Sequence, residues 1–220
     1  MLFPNLTCID NFLDDPDKVI ELSKKFKYSN CLRSPGSRTE HLFYLDFEFF
    51  NWINLKICSV FYPMEITNIR FGADTFFQRT KKLEHDNWVH EDDVRFTAIL
   101  YLNKEDTAGT SIFKPVGFGG QDLDQRAKLK YDYFINENND LPADKIKLIG
   151  DSKQENNAAF VKTASAEGIY NRLIIFDGNT YHASNPMDTE HERLTLISFI
   201  KDITINGKPI EYPVPKMKTI

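Results

Sequence analysis

The hydrophobic pattern of the chain changes from helical to extended near residue 64. Before that point, Asp15 can cap a helix whose first position is Pro16, and the apolar side chains that follow recur on one helical face: Val19, Ile20, Leu22 and Phe26. The stretch 47–61 is rich enough in apolar residues to predict a second, buried helix. We therefore interpret residues 1–62 as a helical flank.

Short extended runs follow, and Gly, Pro, Asn and Asp separate them, which is typical of an antiparallel sheet. The predicted strands are 67–71, 75–79, 96–103, 111–116, 172–176 and 193–201. Side chains alternate between two faces along a strand. In 96–103 one face carries Phe96, Ala98, Leu100 and Leu102, and the other carries Thr97, Ile99, Tyr101 and Asn103. This pattern favours a barrel or sandwich with helices outside and a small-molecule cavity inside.

A long polar segment, 117–168, interrupts the strand pattern. It contains a predicted helix at 121–134 and amide-rich segments at 136–139 and 154–157. Loops of this length are often lids or binding elements, although the charges would suit an exposed decoration equally well. We predict one domain over 1–220, with the sheet formed by 64–116 and 169–204 and with 117–168 as an insertion or lid.

Charge and cysteine content narrow the function classes. The chain has 27 basic and 32 acidic side chains and a net charge of -5, which argues against nucleic acid as the main partner. Cys8, Cys31 and Cys58 are odd in number and lack a C-x-x-C pair, so neither a disulfide framework nor a zinc ribbon is expected. With no signal-like N-terminus and no apolar run of about 18 residues, we expect a cytoplasmic protein without membrane association.

Two histidines and an aspartate form the candidate metal site. His90 and Asp92 are two residues apart and can project to one side, whereas Asp93 would point away. An H-x-D match alone is weak evidence, but His182 follows a buried-looking strand and a turn, where barrels place ligands. The remaining histidines, His41, His85 and His191, lie in packing or polar contexts. Two His and one carboxylate leave half of an octahedral ion open, which oxygen-activating non-haem iron requires.

Arg193 is the candidate anion-binding residue. It begins the last long strand and shares a face with Thr195. A guanidinium can bind a carboxylate through two parallel hydrogen bonds, and a neighbouring hydroxyl can add a third donor. Burying Arg193 among apolar and hydroxyl side chains would be costly without an anionic partner. The alternative is a salt bridge to Glu190 or Glu192.

Taken in order, these motifs resemble those of the iron(II)- and 2-oxoglutarate-dependent dioxygenases, within them the prolyl-4-hydroxylase-like group. The similar segment runs from about Trp88 to Ile200 and contains H-x-D, then Y-L-N-K, then a Gly-led strand, then a distal His followed by R-x-T. The resemblance implies a mainly β protein with flanking helices (α+β), built as a double-stranded β-helix, or jelly roll.

The resemblance also implies a set of site residues and cofactors. Iron would be bound by His90, Asp92 and His182; Arg193 would pair with the far carboxylate of 2-oxoglutarate, supported by Thr195 and Tyr101. The implied reaction consumes O₂ and 2-oxoglutarate, releases succinate and CO₂, and hydroxylates an unidentified peptide or small molecule.

The chain departs from this family pattern in two places. Many relatives have a Gly-Gly-x-x-x-Phe strand where this chain has Ala108-Gly109-Thr110-Ser111-Ile112-Phe113, and the compact members lack the 117–168 insertion. A prolyl target is therefore not carried over. Two alternatives stay open: a jelly-roll interaction or structural module without metal, and a cupin-like metalloprotein that does not use 2-oxoglutarate.

Overall fold

The computed structural model describes residues 6–31, 36–61, 69–80, 87–105, 107–116, 142–187, 192–206 and 208–209, together with Leu129. The described helices are α1 (Pro16–Ser23), α2 (Leu42–Leu45), α3 (Phe47–Ser59) and α4 (Ala143–Ala158). The described strands are β1 (Thr7–Ile9), β2 (Tyr28–Asn30), β3 (Ser37–Thr39), β4 (Ile69–Thr80), β5 (Phe96–Tyr101), β6 (Thr107–Pro115), β7 (Phe160–Gly168), β8 (Leu173–Asp177), β9 (His182–Ser184), β10 (Arg193–Ile205) and β11 (Lys208–Pro209). In this part of the chain, no helix combines the length and apolar content that crossing a membrane requires.

The strands form two antiparallel sheets that share one cavity. The large sheet has the order β1-β8-β5-β10-β4-β3-β2, with β11 paired to β10, and the small sheet has the order β7-β6-β9. A backbone bridge between His90 and His182 extends the small sheet beyond β9. Residues of both sheets line the cavity, including Thr97 and Thr195 from the large sheet and Thr110 from the small one. The predicted mainly β architecture with flanking helices is confirmed.

The outer face of the large sheet forms the main hydrophobic core. The apolar set predicted for the β5 run, Phe96, Ala98, Leu100 and Leu102, is buried there with Ile53 and Ile57 of α3. The residues predicted for the opposite face of this strand point away from the core, and two of them, Thr97 and Ile99, line the cavity. The sheet therefore has an apolar face toward the helices and a partly polar face toward the cavity, as the alternation indicates.

Helices α1 and α3 begin where the sequence predicts, but α3 is only half-buried. The Asp15 side chain accepts a hydrogen bond from the Lys18 backbone N–H, and Pro16 occupies the first turn of α1. In α3 one face packs on the sheet, while Phe47 is 57% exposed and Trp52 is 47% exposed. The prediction of a buried helix over 47–61 therefore holds for the face that packs on the sheet and is wrong for the outer face.

Three predicted boundaries are also wrong. The helical flank 1–62 contains β1, β2 and β3, which occupy positions at the two ends of the large sheet. The described residues of the predicted strands 67–71 and 75–79 belong to the single strand β4, because Gly72 and Asp74 pair within the ladder to β10 instead of forming a turn. The predicted helix 121–134, apart from Leu129, and the segment 136–139 lie outside the described residues.

The third error concerns the insertion, whose last nine residues form β7 and pair with β6. Most side chains of β7 are exposed, and its sequence has no hydrophobic alternation. Backbone pairing at the edge of the small sheet therefore stabilises a strand that a hydrophobic pattern cannot reveal. Residues 160–168 are part of the β-scaffold and not of a lid.

A buried polar network joins α3 to the large sheet. Asn54 donates to Thr75 Oγ1 at 2.9 Å and to the Phe50 carbonyl at 2.8 Å, and Ser198 Oγ donates to Asn54 Oδ1. The side chains of Asn54, Thr75 and Ser198 have no solvent exposure. Buried polar groups of this kind stabilise a fold only while their partners are present.

We predict that Asn54→Leu lowers the free energy of unfolding by about 1–3 kcal/mol, because the Thr75 and Ser198 hydroxyls lose a buried partner. Chemical denaturation measures the change. Asn51→Leu is the matched control, since Asn51 is an exposed residue of the same helix and should change stability by less than about 0.5 kcal/mol. Equal losses in the two variants would contradict a structural role for the network.

Candidate metal centre

Three side chains from two separate segments converge in the cavity. The donor atoms of His90, Asp92 and His182 all lie within 4.8 Å of one another. His90 Nε2 is 3.8 Å from Asp92 Oδ1, and His182 Nε2 is 3.4 Å from Asp92 Oδ2. Two donors bound at about 2.1 Å to one ion can be no more than about 4.2 Å apart, and the two histidine–aspartate distances satisfy that limit. The group could hold one metal ion.

The backbone fixes the two histidines opposite each other. The His90 N–H donates to the His182 carbonyl at 3.0 Å, and the His182 N–H donates to the His90 carbonyl at 2.8 Å. His182 also pairs with Ile112 of β6. The Asp92 N–H donates to the Gly178 carbonyl at 2.7 Å, in the turn that follows β8. The chain segments that carry the three side chains are thus hydrogen-bonded directly to one another.

Hydrogen bonds to carbonyl groups orient both imidazoles. His90 Nδ1 lies 2.8 Å from the Trp88 carbonyl oxygen, and His182 Nδ1 lies 2.8 Å from the Thr180 carbonyl oxygen. A carbonyl oxygen can only accept, so each Nδ1 carries the hydrogen and each neutral ring keeps its lone pair on Nε2. This is the usual arrangement of metal-binding histidines. The atoms that face Asp92 are therefore the ones able to bind a metal.

Thr97 orients the carboxylate. Its hydroxyl donates to Asp92 Oδ2 at 2.6 Å, and Thr97 lies on the cavity face of β5. The alternation along this strand predicts Thr97 on its polar face but gives it no role. The alternating polar residues of this strand were the available signal.

The end of α4 anchors the segment that carries His90. Asn157 Oδ1 accepts from the Val89 N–H at 2.9 Å, and Asn157 Nδ2 donates to the Asn87 carbonyl at 3.0 Å. Asn156 Nδ2 donates to the Val89 carbonyl at 3.1 Å. The amide-rich segment 154–157, which the sequence left open as lid or decoration, thus includes two residues that position the histidine segment. No local signal in the sequence indicates this role, since the partners are about 70 residues apart.

Arg193 is buried in the same cavity, and its described hydrogen-bond partners are neutral. Nη1 donates to the Ala108 carbonyl at 3.0 Å, and Nη2 donates to Ser184 Oγ at 3.3 Å. Among the residues that the structure describes, no carboxylate pairs with Arg193: Glu192 is exposed, and Glu190 lies outside the described residues. Burial lowers the pKa of Arg193, so the protein environment disfavours the charge that this group carries.

One nitrogen of this guanidinium and the neighbouring Thr195 hydroxyl lack hydrogen-bond partners among the described residues. Arg193 Nε and Thr195 Oγ1 are both buried, and neither makes a hydrogen bond within the described part of the chain. Leaving buried donors unpaired is costly. A bound oxyanion would satisfy both atoms together, which fits the predicted pairing of these residues with a carboxylate.

Tyr101 lies behind the cavity surface, in contact with the cavity-lining residue Thr110. It is fully buried, burial raises its pKa, and its hydroxyl lies 2.8 Å from Thr110 Oγ1. Thr110 is the residue of the pair that lines the cavity. The predicted support from Tyr101 would therefore act through Thr110.

Where many relatives have Gly-Gly, this chain has Ala108-Gly109, and Gly109 is the position at which the strand geometry requires glycine. A Cβ at Gly109 would lie 1.7 Å from the Ala166 carbonyl oxygen, so β6 and β7 can approach only if residue 109 is glycine. The neighbouring Ala108 contributes its carbonyl to Arg193. Alanine instead of glycine at residue 108 therefore does not affect this contact, because the accepting carbonyl belongs to the backbone.

Of the remaining histidines, the structure describes His41, which does not join the centre. His41 lies 3.5 Å from Asp74 and has its ring against Phe76, in agreement with the predicted packing role. His85 and His191 lie outside the described residues.

Solved structures with similar folds include a 2OG-Fe(II) oxygenase and other 2-oxoglutarate-dependent proteins. An oxidoreductase of the 2OG-Fe(II) oxygenase family from Burkholderia pseudomallei matches with a TM-score of 0.53 and 11% identity, over 90% of this chain and 84% of that chain. HygX from Streptomyces hygroscopicus, with nickel, 2-oxoglutarate and hygromycin B bound, matches with a TM-score of 0.52 and 10% identity, over 88% and 82% of the two chains. The non-haem alpha-ketoglutarate-dependent epimerase SnoN from nogalamycin biosynthesis matches with a TM-score of 0.52 and 10% identity, over 98% and 87%. Prolyl hydroxylases are among the other matches.

The likenesses to the oxidoreductase, HygX and SnoN establish the class of fold. The chain has the double-stranded β-helix of the 2-oxoglutarate/Fe(II) oxygenases, so the fold that the sequence resemblance implied is confirmed. Residues 4–200 match DUF6445, described as a family of unknown function, and the chain belongs to that family. No curated protein matches the chain.

We predict that Thr97→Val weakens divalent-metal binding about 10–100-fold, the usual effect of removing an outer partner of a ligand. Titration of the metal-free protein with Ni(II), followed by calorimetry, measures the affinity. Thr97→Ser keeps the hydroxyl and should restore most of the affinity. Equal Ni(II) affinities in the valine variant and the wild type would show that Asp92 does not need this hydrogen bond.

Proposed function

We propose that this protein is an Fe(II)- and 2-oxoglutarate-dependent dioxygenase that hydroxylates an organic substrate. In that reaction one oxygen atom of O₂ enters the substrate and the other enters succinate, with release of CO₂. One observation carries the proposal: the His-Asp-His group and the buried Arg193–Thr195 pair share a single cavity.

The donor set suits iron(II). Two imidazole nitrogens and one carboxylate on one side of an ion leave the other coordination positions open, which is the set used by non-haem iron oxygenases. When bound there, iron would supply oxygen activation. His90, Asp92 and His182 would hold it, and Thr97 would keep the Asp92 carboxylate in place.

Arg193 and Thr195 suit the far carboxylate of 2-oxoglutarate. The guanidinium is buried without a carboxylate partner among the described residues, and an oxyanion would accept hydrogen bonds from its Nε and from the Thr195 hydroxyl. Charge-assisted hydrogen bonds are among the stronger ones, and the exclusion of water strengthens them further. Ser184 and the Ala108 carbonyl would hold the guanidinium in position.

The alternatives fit the geometry less well. A metal-free module does not require two imidazoles to present Nε2 to the same carboxylate. A cupin-like protein that does not use 2-oxoglutarate predicts contacts between Arg193 and protein carboxylates, and the described residues provide none. Since SnoN is an epimerase, the fold alone does not select hydroxylation, and the reaction type is part of the proposal.

Addition of Fe(II) and 2-oxoglutarate in air should yield succinate above the no-enzyme rate, detected by mass spectrometry. His90→Ala and Asp92→Ala should abolish the excess because each removes a proposed ligand. His41→Ala is the control and should retain it, since His41 lies outside the cluster. Equal succinate production by the wild type and both ligand variants would reject the assignment.

Arg193→Gln should raise the dissociation constant of 2-oxoglutarate about 10–100-fold in Zn(II)-loaded protein, because it removes a charge-assisted pair while leaving the metal ligands in place. Calorimetry measures the affinity for 2-oxoglutarate and the affinity for Zn(II). The affinity for Zn(II) should not change. Arg172→Gln is the matched control, since Arg172 pairs with Asp10 at the surface. An unchanged dissociation constant in Arg193→Gln would show that another group binds the co-substrate.

A further inference from the structure

A second arginine, Arg38 of β3, lines the same cavity. The strand register places Arg38 opposite Gln78, Gln78 opposite Thr195, and Thr195 opposite Tyr101. Directly paired residues of neighbouring strands project to the same face of a sheet. Arg38 thus belongs to a polar row that crosses the cavity face of the large sheet and includes the proposed co-substrate residue Thr195.

The guanidinium of Arg38 is directed away from Arg193. Its Cζ lies 4.3 Å from the centroid of the Phe76 ring and 5.8 Å from that of Phe199. Phe199 pairs with Thr97, the residue that holds Asp92. Along β10, Phe199 is six residues from Arg193, a distance of roughly 20 Å between backbone positions. The two arginines therefore serve different parts of the cavity, and Arg38 lies toward the metal ligands.

Arg38 has a neutral polar partner and an aromatic surface beneath it. Nε donates to Gln78 Oε1 at 2.7 Å. No carboxylate of the described residues forms an ion pair with it, and burial lowers its pKa while Cys31 and Asp92 oppose that effect. Because Gln78 engages Nε, the Nη1 and Nη2 groups are left to present two parallel donors to a planar oxyanion.

We propose that Arg38 binds a carboxylate of the primary substrate, so that the protein acts on a small organic acid. This inference rests on the proposed function, in which 2-oxoglutarate pairs with Arg193. The substrate carboxylate would lie over Phe76 and Phe199, and the rest of the substrate would extend toward the metal ligands. Arg38 would thereby determine both substrate class and orientation.

The test uses Zn(II)-loaded protein with saturating 2-oxoglutarate. The probes are acetate, propanoate and benzoate, each compared with its neutral amide, and saturation-transfer NMR detects binding. The carboxylates should bind the wild type and the amides should not. Arg38→Gln should weaken carboxylate binding about tenfold or more, the usual effect of losing hydrogen bonds to a charged group.

Arg79→Gln is the matched control. Arg79 is the neighbour of Gln78 on β4, contacts the Tyr28 ring and faces away from the cavity, so carboxylate binding should not change. Arg38→Lys keeps the charge but not the two parallel donors, and it should bind the probes less tightly than the wild type. If Arg38→Gln does not fold, as judged by thermal unfolding, Arg38→Lys decides the question.

The outcomes separate this inference from the proposed function. If 2-oxoglutarate does not bind the Zn(II)-loaded wild type, the proposed function fails. If 2-oxoglutarate binds and the carboxylate probes do not, or if they bind equally to wild type and the deciding Arg38 variant, only the role of Arg38 is overturned. A loss of 2-oxoglutarate affinity in Arg38→Gln would also overturn it, by assigning Arg38 to the co-substrate.

Discussion

The mutual backbone pairing of His90 and His182 is the interaction on which the candidate site depends. Each residue donates its N–H to the other's carbonyl, and this bridge adds the His90 segment to the small sheet. The pairing brings together side chains that are far apart in sequence before any metal is considered. Asn156 and Asn157 reinforce it from outside by binding the backbone just before His90. A β-scaffold thus positions the ligands, and a metal would enter a geometry that already exists.

The charged side chains of the cavity are the second constraint on the ligands that can bind there. The cavity contains one carboxylate among the proposed ligands and two guanidinium groups that form no ion pair with a carboxylate of the described residues. Burying cations in this way is unfavourable unless anions are bound. A divalent metal would balance the carboxylate, and organic acids would balance the arginines. The cavity is therefore complementary to a metal together with anionic ligands, although the chain as a whole is acidic.

Local patterns allowed much of this site to be predicted. The spacing of His90 and Asp92 and the shared face of Arg193 and Thr195 follow from strand geometry, and the alternation in β5 correctly separated core from cavity residues. The roles of Asn156, Asn157 and Arg38 depend on contacts between distant segments, and Arg38 precedes the family-like motifs. Strand β7 escaped prediction because its exposed side chains have no hydrophobic periodicity. Interactions of the backbone and of distant polar groups leave no signature in a single sequence.

The most direct test of the account is anomalous diffraction from crystals grown with Ni(II) and 2-oxoglutarate. The account predicts one nickel peak within bonding distance of His90 Nε2, His182 Nε2 and the Asp92 carboxylate, with the far carboxylate of 2-oxoglutarate on Arg193. A nickel peak away from these three side chains, or 2-oxoglutarate bound without contact to Arg193, would contradict it.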